Sequence, residues 1–421
     1  MKSFKIVVFI FVFLTFGVPF KNIAQKSRQT DRPYVIMLSM DAFRWDYAEK
    51  LDLKNLKAIA SEGVTCKALI PCFPSVTFPN HYSIATGLYP DHHGLVQNNF
   101  YDSVLKAKYS IGNRKAVENG KFYGGEPVWV TAEKQGVKSA SYFWVGTEAP
   151  IQNIQPSIWK KYDHTFPYNQ RLDSVLSWLD LPESKRPHLI TWYIPEPDEV
   201  THNFGPYSPE ANKMIYSLDS LVGIFFAKIK SHPLANKINI IIVSDHGMGL
   251  LSEEKTEFFD DYIKKEWIQF SNGHNPQYNF TPYPQFIDSV VTGLQKAKHL
   301  RAWKKQNVPA CLHYGTNYRI GDIVIVADSA WSMKWRNDKP IGKGTHGYDP
   351  ANSDMHGIFY AYGPAFQRGY VADAMQNIEI YNLICKILKL NPAPNDGNLG
   401  NVRQLLLPEN KKHKVKPNHI Q

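Results

Sequence analysis

Three apolar runs in this chain end beside acidic residues, and that pattern constrains the fold more than any other feature. Tyr34–Met40 leads directly into Asp41. Residues 188–194 reach Asp198 after Pro195-Glu196-Pro197, and residues 238–244 are followed by Asp245-His246. Runs rich in Val, Ile and Leu, too short for helices, read as strands buried on both faces. Two further runs, 321–327 and 357–362, have the same character. Between them lie helical patterns at 53–61, 168–179, 208–230 and 372–390, the second carrying Leu172, Val175, Leu176 and Leu179 on one face. Alternating strands and helices predict an α/β sandwich with a central, mainly parallel sheet flanked by helices.

The chain has 421 residues, 43% hydrophobic and 20% charged, which provides ample core and excludes a disordered or collagen-like protein. Residues 258–310 are polar and aromatic with a weaker period, and they read as a small inserted subdomain. No repeat, low-complexity tract or Gly/Ser linker marks a second independent domain. The formal charge of +10 is uneven, with Lys411, Lys412, Lys414 and Lys416 in a basic tail at 409–421. Such a tail is ordinarily solvated, and no stable nucleic-acid partner is expected.

Lys2 and Lys5 precede an apolar stretch over residues 6–18, and Ala24 supplies a small residue for cleavage. About 13 apolar residues fall short of the ~20 that span a bilayer as a helix, so residues 1–24 are expected to be a signal peptide rather than an anchor. The protein is therefore expected to be secreted or periplasmic, with the domain proper over 25–408. Four cysteines, Cys66, Cys72, Cys311 and Cys385, are too few for a disulfide scaffold and lack zinc-site spacing. An oxidising compartment would permit a bridge, with Cys66 and Cys72 the nearest candidates.

In open α/β sheets the ligand crevice lies beyond the carboxyl ends of the strands, so Asp41, Asp198 and Asp245 can converge. Asp198 and His202 share a helical face, and Asp245 and His246 are adjacent; both pairs suit a metal ion. His346 lies between glycines in Gly344-Thr345-His346-Gly347, where the backbone can approach a ligand closely. Taken singly, an Asp after a strand also fits a helix cap, and a lone His fits ordinary packing. Thr77 precedes a short helical stretch with Pro79 in its first turn and Gly87 at its end. It can cap that helix, or it can be a nucleophile if a base or metal stabilises its alkoxide.

The set Asp41, Thr77-Phe78-Pro79-Asn80-His81-Tyr82, Thr86-Gly87-Leu88-Tyr89-Pro90, Asn98, Glu196-Pro197-Asp198 with His202, Ser244-Asp245-His246-Gly247-Met248 and Thr345-His346-Gly347 closely resembles the nucleotide pyrophosphatase/phosphodiesterase family of the alkaline phosphatase superfamily. The likeness runs from about Tyr34 to Leu407. It implies an alkaline phosphatase-like fold, the catalytic domain alone, and two Zn2+. One ion would be held by Asp41, Asp245 and His246 with the Thr77 oxygen, the other by Asp198, His202 and His346. The resemblance further implies a phosphoric diester hydrolase acting through a covalent threonine ester, on small nucleotide substrates that yield nucleoside monophosphates. Asn98, with the Thr77 N–H, would donate to a phosphate oxygen, and Phe78 and Tyr162 would stack the base. Trp144 also occupies a family aromatic position. Val76 stands where many nucleotide-cleaving relatives carry Lys, so a lipid-headgroup or glycerophosphodiester substrate is the alternative, and a silent phosphate-ligand binder the non-enzyme one. Oligomeric state is not legible.

Overall fold

The structure, a computed structural model, describes residues 32–408. The expected signal peptide at 1–24 and basic tail at 409–421 lie outside the described residues. The principal strands are β1 Tyr34–Met40, β2 Val64–Cys66, β3 Ser139–Tyr142, β4 Ile158–Lys160, β5 Leu189–Ile194, β6 Ile238–Val243, β7 Ile268–His274, β8 Gln277–Pro282, β9 Leu300–Lys304, β10 Ile323–Ala327, β11 Phe359–Tyr362 and β12 Tyr370–Ala372. The principal helices are α1 Lys54–Glu62, α2 Thr77–Thr86, α3 Val128–Lys134, α4 Tyr168–Ser177, α5 Asp198–Phe204, α6 Pro209–Ser231, α7 Ile287–Leu294 and α8 Glu379–Ile387.

Eight strands form the central sheet in the order β12-β2-β11-β6-β1-β5-β3-β4. Its pairings are parallel except where β11 runs antiparallel between β6 and β2. Every residue of β1 is buried, because both faces of the sheet are covered. Val35 and Met37 face one core with α2, α3 and α8; Ile36, Leu38 and Met40 face the other with α1, α4 and α6. This period of two places β1 at the centre of an α/β/α sandwich. Truncating Leu38 to Ala would cost about 2–5 kcal/mol through lost burial and a residual cavity.

The second sheet is antiparallel throughout, in the order β7-β8-β10-β9. The run at 321–327 therefore does not join the central sheet with the other four apolar runs. Ile323 and Ile325 of β10 pack with Phe259, Phe280, Val290 and Leu294, while Val324 and Val326 turn to the main core. Burial on both faces gives an antiparallel strand the same unbroken apolar run as a parallel one, so periodicity alone could not assign its sheet.

All four cysteines are free thiols, so Cys66 and Cys72 are not bridged. Burial pushes the Cys66, Cys72 and Cys385 thiols up to about 12, which makes them inert packing groups.

Candidate metal centre

The adjacent strands β6, β1 and β5 run parallel, so their carboxyl ends open on one edge. Asp41 follows β1, Asp245 and His246 follow β6, and Asp198 opens α5 just beyond β5. One turn of α5 carries His202 back over Asp198, with Nε2 3.4 Å from Oδ1. His346 arrives on a loop held by the pairing of Gly344 and Thr345 with Leu250 and Gly249. Gly344 is required there, because a Cβ would lie 2.5 Å from the Thr201 carbonyl oxygen.

Two groups of acids and histidines that could hold a metal ion result: Asp41, Asp245 and His246, and Asp198, His202 and His346. Within each, one potential ligand atom per residue lies within 4.8 Å of the others. His246 Nε2 is 3.0 Å from Asp245 Oδ2 and 3.5 Å from Asp41 Oδ1, and His346 Nε2 is 3.5 Å from Asp198 Oδ1. The His246 and His346 rings stack at 3.7 Å, so the two groups are neighbours. They differ in access. Side chains of the first are 0–3% exposed, whereas Asp198 is 20% and His202 34% exposed in the second.

The backbone fixes how each imidazole faces. Nδ1 of His202 lies 2.9 Å from the Gly344 carbonyl, that of His246 2.9 Å from the Gly247 carbonyl, and that of His346 3.0 Å from the Ser75 carbonyl. A carbonyl can only accept, so each Nδ1 carries the proton and each Nε2 is left for the cluster. Asp41 Oδ1, Asp198 Oδ1 and Asp245 Oδ2 are buried without a hydrogen-bond partner. Unpaired carboxylate oxygens at such depth are costly, and imidazole nitrogen with carboxylate oxygen is a donor set that suits zinc. These residues therefore fit a divalent cation.

The buried groups shift one another's protonation. Burial, then the charges of Asp245 and Asp198, push the Asp41 carboxyl well above the usual range. Burial would also raise Asp245, but His246 and His81 outweigh it and hold that group well below. Burial would lower His202, yet the Asp198 charge carries it up to about 9. Burial, then His246, press His346 well below its ordinary value.

Val76, not Thr77, is the N-cap of α2, and no side chain caps that end. Thr77 is the first helical residue, and its Oγ1 lies 3.3 Å from His246 Nε2. Its hydroxyl thus stands among the acids and histidines, at a helix end whose free N–H groups favour negative charge. Asn98 is tied to the same turn, its Oδ1 accepting from the Phe78 N–H at 2.9 Å. The Phe78 ring packs edge-on to Tyr109, while Tyr162 packs against Phe143 and Tyr193. Phe78 and Tyr162 make no ring contact with each other among the described residues. Trp144 is buried behind the site, its indole N–H donating to the His81 carbonyl at 3.2 Å.

Two contributors carried no separate sequence signal. His81, four residues after Thr77 on the helix, places Nδ1 3.0 Å from the Thr77 carbonyl and 3.2 Å from Asp245 Oδ2. Its Nε2 lies 2.9 Å from the Ser39 hydroxyl. Tyr193, paired in register with Ser39, donates its hydroxyl to Asp41 Oδ2 at 2.7 Å. The hints were the place of His81 inside the Thr77–Tyr82 motif and that of Tyr193 one residue before the end of its buried strand.

The sequence profile of type I phosphodiesterase / nucleotide pyrophosphatase matches residues 35–349. The chain belongs to this family. Among type I phosphodiesterase relatives, the venom phosphodiesterase CdcPDE of Crotalus durissus collilineatus is 37% identical over 385 residues, covering 88% of this chain and 46% of the relative. Ectonucleotide pyrophosphatase/phosphodiesterase family member 3 of Mus musculus is 35% identical over 387 residues, covering 89% and 44%. The chain thus spans about half the length of the curated relatives it matches. Among solved structures, murine ectonucleotide pyrophosphatase / phosphodiesterase 5, in an inactive threonine-to-alanine form in complex with AMP, superimposes with a TM-score of 0.85. It is 31% identical, with 89% of this chain and 100% of that chain covered. Its human counterpart gives 0.85 at 32% identity, covering 89% and 99%. The fold is the alkaline phosphatase-like α/β sandwich of this family.

Proposed function

We propose that the protein is a two-zinc phosphodiesterase that opens phosphodiester or pyrophosphate bonds of nucleotides and releases nucleoside monophosphates. The observation that carries this reading is the set of unpartnered buried oxygens on Asp41, Asp198 and Asp245, gathered beside the Thr77 hydroxyl. Asp41, Asp245, His246 and the Thr77 oxygen would hold one ion, and Asp198, His202 and His346 the other. When bound, zinc supplies Lewis acidity that favours the threonine alkoxide and neutralises charge on phosphate oxygens.

Thr77 acts as nucleophile: its oxygen bonds to phosphorus as the bond to the leaving oxygen breaks, and its proton leaves to solvent. Water then cleaves the phosphothreonine ester, returning the hydroxyl and releasing the monophosphate. The Thr77 N–H and the Asn98 amide donate to a non-bridging oxygen as charge builds. Phe78 and Tyr162 offer aromatic faces to a base, a sequence-tolerant source of affinity. The AMP held by the murine relative supports a nucleotide ligand.

Export fits the charged and apolar N-terminus and the venom and ectonucleotide names of the relatives. Among the described residues no helix is long and apolar enough to cross a membrane.

Val76 favours a second reading, a choline-type or glycerophosphodiester substrate, because it brings no positive charge beside the nucleophile. Turnover of a nucleoside 5′-phosphodiester and of a choline phosphodiester by the zinc-loaded protein separates the two. Faster nucleotide cleavage is expected, and a clear choline preference would remove the nucleotide reading.

A further inference from the structure

The turn between β7 and β8 does not stop at its own sheet. Thr345 donates its hydroxyl to the Asn275 carbonyl at 3.1 Å, Gly273 donates its N–H to Asn99 Oδ1 at 3.0 Å, and Tyr101 donates its N–H to Asn272 Oδ1 at 3.2 Å. Pro276 comes so near that a Cβ on Gly347 would meet it at 3.3 Å, and Val76 at the same distance. The turn is therefore wedged between the Asn98 segment and the loop that carries His346.

His274 sits at the tip of this wedge. Its ring stands edge-on to that of His346, centroids 6.4 Å apart at 86°. Its Nδ1 donates to the Asn275 carbonyl at 3.0 Å, which leaves Nε2 without a protein partner among the described residues. The residue as a whole is half-buried. The neighbouring group of ligands is the more open one, with Asp198 20% and His202 34% exposed, against 0–3% for the side chains of Asp41, Asp245 and His246. In an in-line displacement the leaving group departs opposite the nucleophile, and the open side is where it has room.

We infer that His274 contacts the leaving group of the substrate and sets its preference, the unprotonated imidazole nitrogen accepting a hydrogen bond from a hydroxyl group beyond the scissile oxygen. This rests on the phosphodiesterase reading above. The favoured substrates are then those whose leaving portion carries hydroxyl donors, such as a sugar phosphate, over those leaving pyrophosphate or an aromatic alcohol, which offer no donor beyond the scissile oxygen. His274 spends no bond on holding the His346 loop, which is tied instead through Asn275 and Ser75.

The test compares kcat/KM of zinc-loaded wild-type protein, His274→Ala and His274→Gln on ATP, UDP-glucose and 4-nitrophenyl thymidine 5′-phosphate. Loss of one hydrogen bond should lower the Ala variant roughly 3- to 10-fold on UDP-glucose. ATP and the nitrophenyl ester should each change less than about 2-fold, and Gln, whose amide oxygen can accept, should recover part of the loss. A fall on ATP as large as that on UDP-glucose would overturn the inference, because pyrophosphate has no hydroxyl to donate. An equal fall on all three substrates, a loss of bound zinc, or no change on any of them would overturn the inference. Failure of the phosphodiesterase reading is distinct: the wild-type protein would cleave none of the three.

Discussion

Tyr193 donates its hydroxyl to Oδ2 of Asp41 at 2.7 Å, and Oδ1 of the same carboxylate is left buried with no partner. One oxygen is held by the protein and the other is free for an ion. Removing the held contact lets the carboxylate rotate and leaves it less well oriented. Tyr193→Phe is expected to weaken zinc binding ~10–100-fold while the fold is kept. Competition with a chromophoric chelator measures it, and wild-type affinity would show that the Tyr193 hydroxyl serves only packing.

Thr77→Ala should lower kcat by at least ~1,000-fold with bound zinc and thermal stability largely intact. The structural reason for expecting little loss of stability is that Val76 occupies the cap position. A stability loss of ~1 kcal/mol or more with activity retained would restore the capping role of this hydroxyl.

Chelation should abolish hydrolysis and lower the unfolding temperature, and added zinc should reverse both. Without a cation the carboxylates of Asp41 and Asp245 face one another in a buried site, which raises the free energy of the folded state. Differential scanning fluorimetry with and without chelator reads the shift. Full turnover by metal-free protein would falsify the two-ion reading.

Phe78→Ala and Tyr162→Ala are each expected to raise KM for a nucleotide about 5- to 100-fold with a smaller change in kcat, since stacking on an aromatic face contributes ~1–3 kcal/mol per base. Steady-state kinetics on a single nucleotide substrate suffices. A fall in kcat at unchanged KM would move these rings out of the base site and into support of Thr77 or Tyr193.

Asp46 offers a pH-dependent test away from the site. Burial would raise its carboxyl, but the Arg44 guanidinium, bonded through Nε at 3.0 Å, outweighs it and brings the group down to about 2. A depressed carboxylate stabilises the fold above its unfolded pKa, here by about 2 kcal/mol, and that gain is lost as pH falls from ~4 toward 2. The difference in urea stability between wild type and Asp46→Asn should be constant from pH 8 to 5 and about half gone by pH 3. A difference still undiminished at pH 3 would mean that the pair acts through packing rather than charge.

How much of this was legible in the sequence varies with the range of the interaction. β1, β5 and β6 were readable because burial on both faces writes an unbroken apolar run into the chain, and Asp41, Asp198 and Asp245 stood out as polar residues at their ends. β10 carries the same signature, yet it pairs with β8 and β9. Its partners are chosen by surfaces that a local window does not contain. For Thr77 the local pattern allowed both a cap and a nucleophile; the structure puts Val76 at the cap and the Thr77 hydroxyl 3.3 Å from His246 Nε2.

The sequence by itself determined the α/β class, the order of the elements and the chemical types available at the strand ends, because those follow from side-chain periodicity and from local backbone preference. Only the tertiary structure decided which nitrogen each histidine presents, that Tyr193 and His81 brace Asp41 and Asp245, and that His274 enters from a second sheet. Those outcomes depend on hydrogen bonds between residues far apart in the chain, and such bonds leave no periodic trace in the order of the amino acids.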